Sequence, residues 1–327
     1  MNLRRRSFLH LATCAITTAI LFLMINSHNA LAQTETIKLV VPVPPGGPLD
    51  FLARVLAEQI GKAHSVNIIV ENRASGGGVV AAQVVAHAAP DGDTVLIHSP
   101  SFLIAPQLQD VGYEPFKSFE PICNLVNSPV VIAVNADSPY HTLAELMDAA
   151  RAKPRQLTIA SVGPATPIHL GTEMLMREAG VDMTYVPFKG DAPTVTALLG
   201  EQVTAMLGNY SSLSAHISTG KVKALAVGSR THNPMLPDVP TVAESGYKDY
   251  EVGVWFGAVV PVATPKEKVA QLTQWFTEAL QTPEVTTKLA AQQLITVGVC
   301  GSDYPGFLHS QYDVFGRVIR DAHITIQ

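Results

Sequence analysis

Two stretches of this 327-residue chain set glycines, prolines and hydroxyls where a strand pattern gives way to a helix pattern. The first is Val41-Pro42-Val43-Pro44-Pro45-Gly46-Gly47-Pro48-Leu49-Asp50. Glycines here let the backbone turn sharply and come close to a bound molecule. The first N–H groups of the helix that follows have no intrahelical partner and carry partial positive charge, which suits an anion. Pro45 and Pro48 stiffen the loop. Asp50 falls in the first helical turn, where it either caps the helix or accepts a bond from a ligand-bound water. An ordinary tight turn with a capping aspartate has the same spelling, and spacing alone does not choose between them.

The second stretch is Ser161-Val162-Gly163-Pro164-Ala165-Thr166-Pro167-Ile168-His169-Leu170. Its physical content is the same, with Ser161 and Thr166 able to donate to a carboxylate or hold a water. His169, in the first turns of the helix, reads more readily as a structural histidine than as a contact. Two shorter groups follow strands of the second half: Phe188-Lys189-Gly190-Asp191-Ala192-Pro193 and Gly208-Asn209-Tyr210-Ser211. Both also fit plain turn chemistry, with Asp191 an N-cap. The run Ala74-Ser75-Gly76-Gly77-Gly78 lacks the spacing and the lysine of a phosphate-binding loop. No G-x-S-x-G elbow occurs, nor any nucleophile–base set. The histidines show no ligand spacing, so neither a metal nor a cofactor is expected.

The ends and the charge narrow the class. Arg4, Arg5 and Arg6 precede an apolar stretch from Phe8 to Ile25, and Ala30-Leu31-Ala32 supplies a small-x-small cleavage triplet. Residues 1–32 read as a signal peptide cleaved before Gln33, by either the general or the twin-arginine route. The mature chain would be a soluble periplasmic protein. Loss of three arginines, with no acid before Glu35, moves the formal charge from −5 to −8. An acidic chain without a basic run is a poor nucleic-acid binder. Cys123 and Cys300 either pair in an oxidising compartment or are two small buried residues.

Strand and helix patterns alternate throughout, which argues for an α/β fold. Strands are expected at 37–41, 67–70, 94–98, 130–134, 157–160, 183–186, 203–207, 222–227 and 254–260. Helices are expected at 51–60, 79–88, 143–152, 168–179, 194–199, 266–281, 283–292 and 304–322. Thr142 with Glu145 three residues on is a capping box. Residues 228–250 read as a long loop. Strand, small-residue loop and helix recur at Ile37–Gly47 and at Leu157–Thr166. Two similar lobes would in this way each offer a helix start to a shared cleft.

Further motifs join these: Val70-Glu71-Asn72-Arg73; Ala89-Pro90-Asp91-Gly92; Tyr113-Glu114-Pro115 with Phe119-Glu120-Pro121-Ile122; and Leu236-Pro237-Asp238-Val239-Pro240-Thr241-Val242-Ala243-Glu244-Ser245-Gly246-Tyr247. In this order and spacing, over nearly the whole mature chain, the sequence resembles the Bug-type receptors of tripartite tricarboxylate transporters. The resemblance implies a type II periplasmic-binding fold with crossovers near Ala133 and Ala258. Lobe 1 would be 33–133 plus 258–327, and lobe 2 134–257. It implies a ligand carboxylate gripped by Pro45, Gly46, Gly47, Asp50, Ser161, Gly163, Thr166 and His169, and more loosely by Lys189, Gly190 and Asn209, with Asp191 near the far end of the ligand. The expected partners are a small carboxylate and either membrane transporter subunits or a sensor protein, with the receptor a monomer. Leu49, the Pro164-Ala165 pair and Asp191 depart from the family pattern. Asp191 would either cap the following helix or turn away a second ligand carboxylate. A periplasmic hydrolase using the same cleft is the competing reading, and a signalling adaptor a third.

Overall fold

The computed structural model describes residues 36–321 and 324–325, so the arginine run, the apolar stretch and the cleavage triplet lie outside the described residues. The chain opens with β1 (Thr36–Val41), α1 (Pro48–His64), β2 (Asn67–Asn72), α2 (Val79–Ala86), β3 (Thr94–His98), α3 (Ser101–Leu108), a single turn α4 (Pro115–Ser118) and β4 (Phe119–Ser128). In β1 the side chains alternate faces. Ile37, Leu39 and Val41 join the core that holds the apolar stripe of α1, namely Leu49, Leu52, Ala53, Leu56 and Ile60. Val40 faces the opposite core, against α2 and α3. Each fully buried aliphatic side chain on these faces contributes about 1.5–3 kcal/mol. The helix ends where Ser65 turns left-handed, at φ 55°.

The chain then crosses to a second sheet through β5 (Val130–Asn135), α5 (Leu143–Ala152), β6 (Thr158–Val162), α6 (Pro167–Ala179), β7 (Thr184–Phe188), α7 (Asp191–Leu199), β8 (Ala205–Asn209), α8 (Tyr210–Ser218) and β9 (Val222–Val227). It returns as β10 (Val254–Pro261) and closes with α9 (Lys266–Gln281), α10 (Pro283–Ala291), β11 (Ile295–Cys300) and α11 (Tyr304–Asp321). The first sheet has the order β11-β4-β10-β3-β1-β2 and the second β7-β6-β8-β5-β9. Strands β1, β2 and β3 run parallel, as do β6, β7 and β8. This is the α/β, two-sheet architecture that the sequence implied. Among the described residues no helix is long and apolar enough to cross a membrane.

The crossings lie earlier than Ala133 and Ala258. All of β5 pairs in the second sheet and all of β10 in the first, so the chain changes sheet at Pro129 and at Gly253. Proline has no N–H for a ladder, so the break between β4 and β5 falls there rather than inside the apolar run. Five elements escaped the sequence reading: β4, β11, α3, the single turn α4 and α8. Asn124 and Asn127 interrupt β4, Gly298 breaks β11, and α3 carries Pro106 in its last turn. The capping box at α5 is present in modified form. Thr142 Oγ1 accepts from Glu145 N at 3.1 Å, but the Glu145 carboxylate takes the His141 N–H.

At the far end of the fold, α11 lies over α3 and reaches α6 of the second lobe. Its Tyr304 hydroxyl meets His98 Nε2 at 3.1 Å inside the core, and burial pushes the His98 imidazole down to about 4, so it stays neutral. Cys123 and Cys300 are opposite one another in the β4–β11 ladder and form a disulfide. Denatured, unreduced protein should therefore show no reactive thiol from either residue. Replacing both by serine should lower unfolding stability by about 2–5 kcal/mol, read by denaturant titration.

Candidate ligand-binding site

The first loop is organised by one buried carboxylate. Asp50 is 2 % exposed and accepts from Gly46 N at 2.9 Å, from Arg54 Nε and Nη2 at 2.9 Å each, and from Asn72 Nδ2 at 2.8 Å. Asn72 Nδ2 also reaches Val43 O at 3.0 Å, which ties the loop to the end of β2. Burial alone would raise the Asp50 carboxyl, but the bonds from Arg54, Gly46 and Asn72 outweigh it and hold it below its usual range. The capping role expected of Asp50 is not seen. Gly47 is the N-cap of α1, no side chain caps that helix, and the carboxylate holds the loop instead. Gly46 adopts φ +96° and its N–H is taken by Asp50. The Leu49 and Asp50 N–H groups, in the open first turn of α1, have no intrahelical partner. Pro45 and Gly46 are exposed and Gly47 is half-buried.

The second loop is held from within. Thr166 Oγ1 accepts from His169 N at 3.1 Å and donates toward Val162 O and Gly163 O. Ser161 is buried, and its Oγ donates to Val162 O and to the Tyr185 hydroxyl, each at 3.2 Å. Both hydroxyls are thus occupied in shaping the loop. Ser161 also lacks the imidazole partner that an activated nucleophile needs. Gly163 N donates to Phe188 O at 2.9 Å, which joins this loop to the third. Ala165 adopts φ +60°, a left-handed conformation that costs a residue with a Cβ about 1 kcal/mol. Its methyl lies against the first lobe: a Cβ built on Gly77 would stand 3.3 Å from Ala165 Cβ. The lobes therefore touch between the glycine run before α2 and the loop before α6. His169 is 6 % exposed and stacks at a tilt on Tyr185, yet its Nδ1 has no partner. Burial lowers its pKa.

The third and fourth groups meet at the end of β8. Gly190, not Asp191, is the N-cap of α7, and Asp191 is its first helical residue with no capping bond. The expected cap is absent because the side chain turns to Asn209, whose Nδ2 donates to Asp191 Oδ2 at 3.0 Å. Asn209 Oδ1 in turn accepts from Ser128 Oγ at 3.1 Å, at the crossing between lobes. Burial raises the Asp191 carboxyl, partly countered by the Asn209 side-chain and backbone N–H groups. Lys189 is exposed, while Gly190 is half-buried with φ +111°. Arg54, Asn72, Ser128, Tyr185 and Gly77 were missed as site residues. Arg54 carried a local signal, the i, i+4 spacing from Asp50. The others come together only through the sheets.

The sequence matches the family of tripartite tricarboxylate transporter receptors over residues 52–324. The chain belongs to this receptor family. Among solved structures it is similar to the periplasmic binding protein BugD, at 33 % identity and TM-score 0.82 over 89 % of this chain and 99 % of BugD. A Rhodopseudomonas palustris protein solved with adipate matches at 29 % identity and TM-score 0.84, over 90 % and 99 % of the two chains. MatC from the same organism, with bound malate, matches at 30 % identity and TM-score 0.79, over 87 % and 98 %. A tripartite tricarboxylate transporter receptor is a solute-binding protein rather than an enzyme, in keeping with the structural engagement of Ser161.

The Asp50 cluster generates a pH test. A carboxylate whose folded pKa is depressed adds stability above its unfolded value, and that stability is lost as pH falls through the folded value. Wild-type protein should lose stability below about pH 4 in part through Asp50. Asp50→Asn should lack that component of acid sensitivity. At neutral pH it should be less stable by about 1–2 kcal/mol, allowing for a half-exposed Arg54. Chemical denaturation at neutral and acid pH reads both effects.

Proposed function

We propose that this receptor captures a small carboxylate between the first loop and the second, and releases it unchanged. The reading is supported by two helix starts, α1 and α6, that keep unpartnered N–H groups, and by the contact between the Gly77 turn of the first lobe and Ala165 beside the α6 start. At α1 the Leu49 and Asp50 N–H groups lack intrahelical partners and no side chain caps the helix. At α6 Thr166 takes only the His169 N–H, leaving that of Ile168. Oriented N–H groups and two helix dipoles suit one carboxylate, although the chain as a whole is acidic. Pro45, Gly46, Gly47, Gly163 and Lys189 border this place, while Asp50, Ser161 and Thr166 act by holding the loops in shape. The ligands of the adipate-bound and malate-bound relatives belong to the same chemical class.

The receptor role further implies an exported chain that works in the periplasm as a monomer and delivers its ligand to membrane subunits of a transporter. A dissociation constant on the order of micromolar, about −8 kcal/mol, fits capture followed by release.

Gly47 offers a clean test of the first loop. Its backbone is unstrained, at φ −83°, and a Cβ there would meet nothing within 4 Å. Gly47→Leu should fold normally and lose about tenfold or more in affinity for its carboxylate, measured by calorimetry. Wild-type protein at about a hundred times the dissociation constant should gain roughly 2.7 kcal/mol of stability, and the variant should not. Unchanged affinity in Gly47→Leu would remove this loop from the site.

Export is tested separately. Mass spectrometry of secreted protein should find an N-terminus at or near Gln33. An intact N-terminus held in the membrane fraction would show an anchored protein instead.

A further inference from the structure

Buried polar side-chain atoms in folded proteins nearly always have a partner. Among the described residues the few that have none are mostly scattered, at Asn124, Asn233, Tyr250 and Gln293. Three others fall together in the fold: His169 Nδ1, Asp191 Oδ1 and Ser211 Oγ. His169 is the third residue of α6, Asp191 the first of α7 and Ser211 the second of α8. These helices follow β6, β7 and β8, which run parallel, so all three starts share one edge of the second sheet. In open α/β sheets this edge, beyond the carboxyl ends of the strands, is where ligands bind.

The edge is otherwise well bonded. Gly163 N is joined to Phe188 O, Asn209 to Asp191, and Ser128 to Asn209. Asp191 Oδ2 is fixed by Asn209, which sets the direction of the free Oδ1 beside Gly208. A serine hydroxyl and a neutral imidazole can each donate or accept. In its ionised form, which the Asn209 N–H groups favour against burial, the Asp191 carboxylate only accepts and so discriminates between ligand groups. A second ligand carboxylate would meet like charge in a partly desolvated space, where the repulsion is stronger than in water. Glu173 lies 3.8 Å from His169 Nε2, and Lys189, on the loop before α7, is exposed to solvent.

We infer that this edge is a second polar subsite, in which Asp191 Oδ1 accepts from a hydroxyl or ammonium group at the end of the ligand remote from its carboxylate. Ser211 and His169 complete the polar surround. This deepens the receptor reading and rests on it. The ligand class becomes hydroxy- or amino-carboxylates in preference to plain dicarboxylates.

Matched probes test the inference by calorimetry. One set is succinate, γ-hydroxybutyrate and γ-aminobutyrate. A longer set is adipate, ε-hydroxycaproate and ε-aminocaproate. Wild-type protein should bind a donor-bearing member about tenfold more tightly than its matched dicarboxylate, the scale of one charge-assisted hydrogen bond. Asp191→Asn should bring that ratio close to one, with circular dichroism unchanged. Should Asp191→Asn fail to fold, Ser211→Ala serves as the second variant: it should weaken the donor-bearing probe by a few-fold while leaving the dicarboxylate unaffected. If wild type binds both classes and neither variant changes their ratio, the subsite is overturned and the receptor reading stands. If wild type prefers the dicarboxylate, the subsite is likewise overturned. If wild type binds neither probe class and also fails with malate, the carboxylate reading itself falls, and the subsite with it.

Discussion

The Asp50 carboxylate accepts four hydrogen bonds, from Gly46, Asn72 and both arms of Arg54 that face it. Each donor lies on a different segment: the loop after β1, the end of β2 and the body of α1. The arrangement fixes the loop's path relative to the sheet, so the open first turn of α1 always points the same way. A loop rich in glycine would otherwise sample many conformations, and each would have to be frozen at ligand binding at an entropic cost. The same logic runs through the second loop, where Thr166 and Ser161 use their hydroxyls on backbone carbonyls and on Tyr185. In both lobes, side chains that look like ligand contacts are the supports of backbone that can be one.

The two lobes share apolar packing, and one of their contacts lies beside the start of α6. Ala165 accepts a left-handed conformation and sets its methyl on the Gly77 turn. A larger side chain at Gly77 would press on Ala165, and one at Ala165 would press on Gly77. Leu170, one turn further along α6, shares a core with Phe102, Trp255 and Tyr304 of the first lobe. The second lobe is therefore seated on the first by packing close to its own helix start.

Much of this was legible in the residues. The alternation of apolar runs with Gly- and Pro-rich loops specified α/β, and the two strand–loop–helix stretches marked the starts of α1 and α6. What the residues could not show was which atoms were already engaged. Asp50 and Asp191 both looked like helix caps, because aspartate at a helix start usually is one. Asp50 is drawn instead to Arg54 and Asn72, and Asp191 to Asn209, eighteen residues ahead in sequence and adjacent only through the sheet. Pro129 hid the crossing for a related reason: a proline between two apolar runs reads as an interruption of one strand, while here it separates two strands of different sheets.

The strand order carries a consequence for how the chain comes together. Strand β10 sits between β3 and β4, and β11 lies outside β4. Both are made only after the whole of the second lobe. A chain emerging from its N-terminus can thus complete the second sheet, β5 to β9, while the first is still in two separate halves. The disulfide between Cys123 and Cys300 spans that interval and encloses the second lobe in its covalent loop. The lobe that is inserted is the one able to mature early, and the lobe that begins the protein is the last to close.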